Sequence, residues 1–126
     1  MNATRPMVIV GAGHVGGRAA QALREFGWGG EILLIGSEAH LPYERPPLSK
    51  ALLTGERDAA SCALRPKEAY ETDQITHIVE PVVSIDGAAR EVHLAGGQRI
   101  ACQALLLATG GHLRRLSIPG AALPGV

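Results

Sequence analysis

Three hydropathy patterns follow one another along the chain. Met7, Val8, Ile9 and Val10 form a short run without a polar position, which reads as a strand buried on both faces. After it Val15, Ala19, Ala22, Leu23 and Phe26 recur at three- and four-residue spacing, with Arg18, Gln21, Arg24 and Glu25 falling between them. That spacing predicts an amphipathic helix with a solvated outer side, ended by the glycines around Trp28. Residues 31–35 (EILLI) read as a second buried strand, completing a β-α-β unit with the expected right-handed crossover.

Farther along, Ser49 is placed to cap a short helix through Ala51, Leu52 and Leu53 to Gly55. Residues 55–64 are small and polar and read as a flexible excursion. Residues 66–71 form a short helix with proline in its first turn. Residues 75–79 are a strand, and alternation over 82–85, 90–94 and 99–101, broken at Gly87 and at Gly96-Gly97, predicts an antiparallel meander. Residues 104–108 return to a buried strand that ends in Thr109-Gly110-Gly111. Met1 to Pro6 is a polar lead-in, and from His112 onward the chain is polar and proline-containing. The expectation is a three-layer α/β fold. Its parallel core holds strands 7–10, 31–35 and 104–108, the last beside the first, with the strand at 75–79 on one edge and the meander inserted.

Composition narrows the class. The 126 residues are 46% hydrophobic, enough for one modest domain. Twelve basic and twelve acidic residues cancel, and no basic block or aromatic platform is present, which argues against nucleic acid. Cys62 and Cys102 match neither a C-x-x-C redox pair nor a zinc spacing, so both read as reduced thiols and no metal site is expected. There is no apolar leader, and the longest apolar run is too short to span a bilayer, so the expected location is the cytoplasm, away from membranes.

The candidate chemistry starts where the first strand ends. Gly11, Gly13 and Gly16 have the G-x-G-x-x-G spacing between a strand and a helix. In a dinucleotide site the first glycine permits the tight turn, the second lets the backbone approach a pyrophosphate, and the third lets the helix pack closely on the strand. The alternative is a glycine-rich turn that binds nothing. A carboxylate at the end of the second strand would accept bonds from an adenosine ribose. Glu38 is the candidate for that role, the alternative being a solvated loop acid. An acid there favours free ribose hydroxyls over a 2′-phosphate. In LPYERPPLSK three prolines stiffen a loop carrying Arg45 and Lys50. Spacing alone leaves it either a surface loop or a cationic support for a phosphate or an electron-rich ring.

Together VGAGHVGG, LIG with a following acid, PYERPPLSK, the meander, LLLATGGHLRRL and IPGAALPGV resemble the N-terminal segment of the FAD-dependent ferredoxin and rubredoxin reductases. These are two-dinucleotide-domain flavoproteins related to the pyridine nucleotide-disulfide oxidoreductases. The resemblance covers nearly the whole chain and implies a Rossmann-like FAD/NAD(P)-binding fold. It implies that Gly11, Ala12, Gly13, His14, Val15 and Gly16 cradle the FAD pyrophosphate. It places Glu38 at the ribose, although the family's acid usually stands at the position of Ser37, so both are candidates. Arg45 would lie along the cofactor, Val82 would meet the adenine through its backbone, and Ala108, Thr109 and Gly110 would close over it. Lys50 is the candidate catalytic residue, a cation near the reactive flavin nitrogen. The implied activity passes electrons from NAD(P)H through FAD to a ferredoxin or rubredoxin of an oxygenase system. Disulfide reductases of this fold carry a C-x-x-x-x-C pair that is absent here.

Family members run to about three times this length, and a second G-x-G-x-x-G does not occur in these residues. The expectation is therefore one partial FAD/NAD(P)-binding domain over 1–126, a portion of a reductase whose remainder would be a further partner. The alternatives are a truncated dinucleotide-binding module without reductase activity and, third, an NAD-binding regulatory domain.

Overall fold

The computed structural model describes residues 5–126, so the first four positions of the polar lead-in lie outside the described residues. A four-stranded parallel sheet is made of β1 (Met7–Val10), β2 (Ile32–Gly36), β3 (Ile75–Val79) and β7 (Ala104–Leu107) in the order β3-β2-β1-β7. The remaining strands, β4 (Val82–Asp86), β5 (Glu91–Leu94) and β6 (Arg99–Ala101), form the antiparallel meander β4-β5-β6. β7 lies beside β1 with Val10 opposite Leu107, and β3 holds the far edge, as expected. β2 starts and ends one residue later than expected, and β4, β5 and β7 each differ by one residue at one end.

Two cores account for the three layers. On one sheet face Ile9, Ile32, Leu34 and Ile75 pack with Ala20 of α1 (His14–Glu25) and Tyr70 of α2 (Lys67–Thr72). On the other, Val8, Val10, Leu33 and Ile35 pack against Val92, Leu94 and Ile100 of the meander. Alternate residues of one apolar run thus serve opposite layers, which is why the run has no polar position. Cys62 and Cys102 are free thiols and both buried. Among the described residues no helix is long and apolar enough to cross a membrane.

The structure corrects several local expectations. The buried stripe of α1 is Gly16, Gly17 and Ala20, with Ala19 and Leu23 partly buried beside it, whereas Val15 and Phe26 are exposed. Close approach to the sheet selects the smallest residues, so the stripe turns away from the larger apolar ones. Arg24 does not lie on a solvated side. Its guanidinium donates to the carbonyls of Trp28 (2.6 Å), Gly30 (2.7 Å), Asp73 (2.6 Å) and Gln74 (3.0 Å). Ser49 caps no helix, because it ends a 3-10 turn, Pro46–Ser49, whose start is set by the two prolines. Pro66 precedes α2 at its N-cap instead of entering it. Residues 55–64 are not a free excursion. They contain the 3-10 turn Ala60–Cys62, a bridge between Ala63 and Tyr43, and Arg57 bonded to Ser61 and Glu44.

Candidate functional site at the carboxyl edge of the sheet

The parallel register brings the carboxyl ends of β1, β2 and β7 to one edge, where the chain order reverses about β1. Gly11 leaves β1 at φ +113, and its N–H donates to the Ile35 carbonyl at 2.7 Å. The Ala108 N–H in turn donates to the Val10 carbonyl at 2.8 Å. A β-carbon on Gly11 would lie 2.1 Å from the Ala108 carbonyl oxygen, and one on Gly16 would lie 1.8 Å from the Gly11 carbonyl oxygen. One on Gly36 would come within 2.6 Å of the Ala12 side chain. Gly11, Ala12, Gly16 and Gly36 therefore form a close-packed junction between α1 and three strand ends.

Gly13 differs from these glycines. A β-carbon there would meet no atom within 4 Å, so the space beside it is open. Gly13 is the N-cap of α1, no side chain caps the helix, and its first turn holds no acid. The leading N–H groups and the positive end of the helix dipole face that opening with no acid in the helix's own first turn. His14 and Val15, the first two helical residues, are exposed there, and so are Thr109 and Gly110 at the exit of β7.

The proline-rich loop splits its two cations between two places. Arg45 turns toward the end of β2, where its guanidinium donates to Glu38 Oε1 at 2.6 Å, and the Tyr43 hydroxyl donates to Glu38 Oε2 at 2.7 Å. These bonds, Tyr43's first, hold the Glu38 carboxyl below its ordinary pKa, and the same bond raises that of Tyr43. Lys50 instead lines a cavity of about 290 Å³ together with His14, Glu44, Pro46, Pro47, Ala51 and Arg57. Among the described residues it makes no ion pair. Val82 is not gathered with this group, since its side chain packs partly on the meander-side core. The approach to it does begin at the edge, because the Glu80 N–H donates to the Gly36 carbonyl at 2.9 Å. Ser37 is exposed at the end of β2, next to Glu38.

Sequence reasoning missed three participants. Tyr43 anchors Glu38, and its signal was its place two residues before Arg45. Gly17 takes the buried Pro42 against α1, since a β-carbon on Gly17 would lie 2.5 Å from that ring, and this contact docks the loop on the helix. Arg57 pairs with Glu44 at 3.1 Å and lines the cavity, and nothing in its small, polar surroundings marked it.

Comparison with known proteins agrees with this fold. The profile of the pyridine nucleotide-disulphide oxidoreductase family matches residues 5–126. A probable ferredoxin reductase from Castellaniella defragrans is 43% identical over 127 residues, covering all of this chain and 31% of that protein. The crystal structure of a ferredoxin reductase from Rhodopseudomonas palustris superimposes with a TM-score of 0.90 at 43% identity, over 96% of this chain and 30% of its own. Putidaredoxin reductase, in its covalent complex with putidaredoxin, follows with a TM-score of 0.84 and 37% identity, over 94% and 29%. The chain spans under a third of the length of each of these relatives. With β1, the glycine turn, α1 and the returning β7 all inside the matched region, the chain belongs to the pyridine nucleotide-disulphide oxidoreductase family.

Proposed function

We propose that this chain is the FAD-binding portion of a reductase that takes electrons from NAD(P)H and delivers them to a ferredoxin or rubredoxin of an oxygenase system in the cytoplasm. Residues 1–126 act in it as one partial FAD/NAD(P)-binding domain. The observation that carries the reading is the open space at Gly13, facing uncapped helix N–H groups and flanked by a glycine junction too tight for side chains. A pyrophosphate fits that opening, since it needs backbone donors and no β-carbon. The names of the ferredoxin reductase relatives and the putidaredoxin complex support the acceptor class.

In this reading Gly11, Ala12, Gly13, His14, Val15 and Gly16 hold the pyrophosphate, mainly through their N–H groups. Ser37 and Glu38 take the ribose hydroxyls, the Val82 backbone meets the adenine, and Ala108, Thr109 and Gly110 close the edge from β7. Arg45 orients Glu38, and Lys50 supplies a cation at the cavity wall. FAD held there would supply acceptance of a hydride from the nicotinamide and one-electron delivery to the iron-containing partner. Lys50 favours negative charge there, and Pro46, Pro47 and Ala51 keep that part of the cavity apolar.

The test is titration of the 126-residue chain with FAD, followed by flavin absorbance and by quenching of flavin fluorescence. Saturable binding that competes with ADP is expected, and absence of binding overturns the reading. The second reading, a dinucleotide module without reductase activity, is favoured for these residues taken alone by their single G-x-G-x-x-G. With FAD added, the chain is expected to oxidise NADH no faster than free FAD. A faster rate that is lost in Gly13→Val would exclude that reading.

A further inference from the structure

Two buried polar atoms on the helix side of the sheet lack a hydrogen-bond partner. Among the described residues neither the Tyr70 hydroxyl nor Arg65 Nη1 makes a hydrogen bond, although both atoms are buried. Tyr70 is only 2% exposed, so its hydroxyl cannot turn to solvent instead. The Arg65 guanidinium lies over the Tyr70 ring, 5.5 Å from its centroid, so the two atoms belong to one stacked pair of side chains. Arg65 uses its other amino group, Nη2, to donate to Asp73 Oδ2 at 2.6 Å. Arg18 of α1 is near enough to act on the same hydroxyl. Burial pushes the Tyr70 pKa up, and Arg65 and Arg18 are the charged groups that oppose the rise. Arg18 donates to Gln21 Oε1 at 3.0 Å, and among the described residues it pairs with no acid.

We propose that Tyr70, Arg65 and Arg18 form a binding site for a small monovalent inorganic anion, chloride being the simplest, which ties α1 to α2. The inference does not depend on the flavin reading. A guanidinium nitrogen can only donate and a phenol hydroxyl donates readily, so the partner that both atoms call for is an acceptor. Charge decides which acceptor. Asp73 balances Arg65, whereas Arg18 leaves one positive charge beside the pair. Water would satisfy the two donors and leave that charge as it is, and an anion does both. The enclosure limits the anion in turn, because the cost of taking an ion out of water rises with the square of its charge, which disfavours phosphate and sulfate. The site is separate from the opening at Gly13, which Arg18 follows by more than a helical turn. Its effect reaches the proline-rich loop. Leu64, next to Arg65, packs at Gly17 beside Pro42, so an ion that holds Arg65 toward α1 also holds the contact that seats the loop.

The test is urea unfolding of the 126-residue chain while sodium gluconate, whose anion is too bulky for the site, is replaced by sodium chloride at fixed ionic strength. The midpoint should rise saturably, by about 1 M urea once chloride is in tenfold excess over its Kd. Tyr70→Phe removes one donor and should lose most of that rise. In gluconate alone it should be no less stable than the wild type, because it also removes a buried hydroxyl that has no protein partner. Arg18→Gln, an exposed change that spares the fold, should weaken the chloride dependence several-fold. Crystals soaked in bromide should show its anomalous signal within hydrogen-bonding reach of Tyr70 Oη and Arg65 Nη1. A midpoint that does not respond to chloride, or ordered water alone at that position in the bromide crystals, overturns the proposal. So does a chloride response that survives unchanged in Tyr70→Phe. If Tyr70→Phe fails to fold, the Arg18→Gln response and the bromide position decide.

Discussion

The two ends of α1 treat their unpaired backbone groups in opposite ways. At the C-terminal end the chain satisfies itself, with Phe26, Gly27 and Trp28 donating back to helix carbonyls and Arg24 tying Trp28 and Gly30 to Asp73 and Gln74. At the N-terminal end Gly13 supplies no side-chain cap, the first turn has no acid, and the space beside it is open. A helix start capped by its own Ser or Asp is more stable but offers fewer donors to a ligand. The difference therefore separates a part of the helix built for stability from a part left open for binding.

The largest expected effect tests whether that separation also holds among the glycines. Gly16→Ala places a methyl group 1.8 Å from the Gly11 carbonyl oxygen, so α1 must lift from the sheet. The loss should be about 3 kcal/mol, at the upper end of overpacking costs, read as a fall in the urea midpoint. A Gly16→Ala chain as stable as the wild type would show that the junction can give way without cost.

Arg24→Met, at the other end of the helix, should cost about 2 kcal/mol by leaving four carbonyls without their charged donor. Its FAD affinity, measured where the variant is fully folded, should match the wild type. A matching loss of affinity would mean that the two ends are coupled through the helix.

Gly13→Ala should show the converse. Its stability should change by less than about 1 kcal/mol, since the new methyl group meets no protein atom. Its FAD affinity should fall at least about tenfold, which is about 1.4 kcal/mol. Equal FAD affinity in this variant would remove the opening at Gly13 from the site.

The smallest effect is the pH profile, which sharpens the comparison because it belongs to the sheet and α2 and to neither end of α1. Burial lowers the pKa of His77 from its ordinary 6.5, so the folded chain binds fewer protons there than the unfolded chain. Its contribution is complete above 6.5 and is lost as the pH falls through 6.5 toward the lower folded value. Burial raises Tyr70 above its ordinary 10.0, so stability is lost as the pH rises beyond 10. Urea midpoints should be level between those limits, and His77→Phe should remove the decline just below 6.5. A decline unchanged in His77→Phe would assign it to another group.

How much was legible depended on how far each interaction reaches along the chain. The strands β1, β2, β3 and β7, the meander and the glycine turn were readable because each is announced by its own few residues. The buried side of α1 was misread because helical periodicity reports where apolar residues lie, whereas close packing on a sheet rewards the absence of side chains at Gly16 and Gly17. Arg24 looked solvated because two of its four acceptors, the carbonyls of Asp73 and Gln74, stand 49 and 50 positions away.

The sequence by itself determined that Met7 to Val10 is buried on both faces, that a tight glycine turn follows, and that an acid and two cations stand near the strand ends. These are local consequences of hydrophobicity, missing β-carbons and fixed proline torsions. Only the tertiary structure decided which charges meet. Arg45 and Lys50 stand five positions apart on one stiff loop, yet one is bound to Glu38 and the other opens on a cavity with His14. That division arises where α1, β2 and the loop converge, because Pro42 is seated against Gly17 and sets the loop's orientation. Pairing of charges depends on distances of a few ångströms between elements, and residue order does not encode those distances one position at a time.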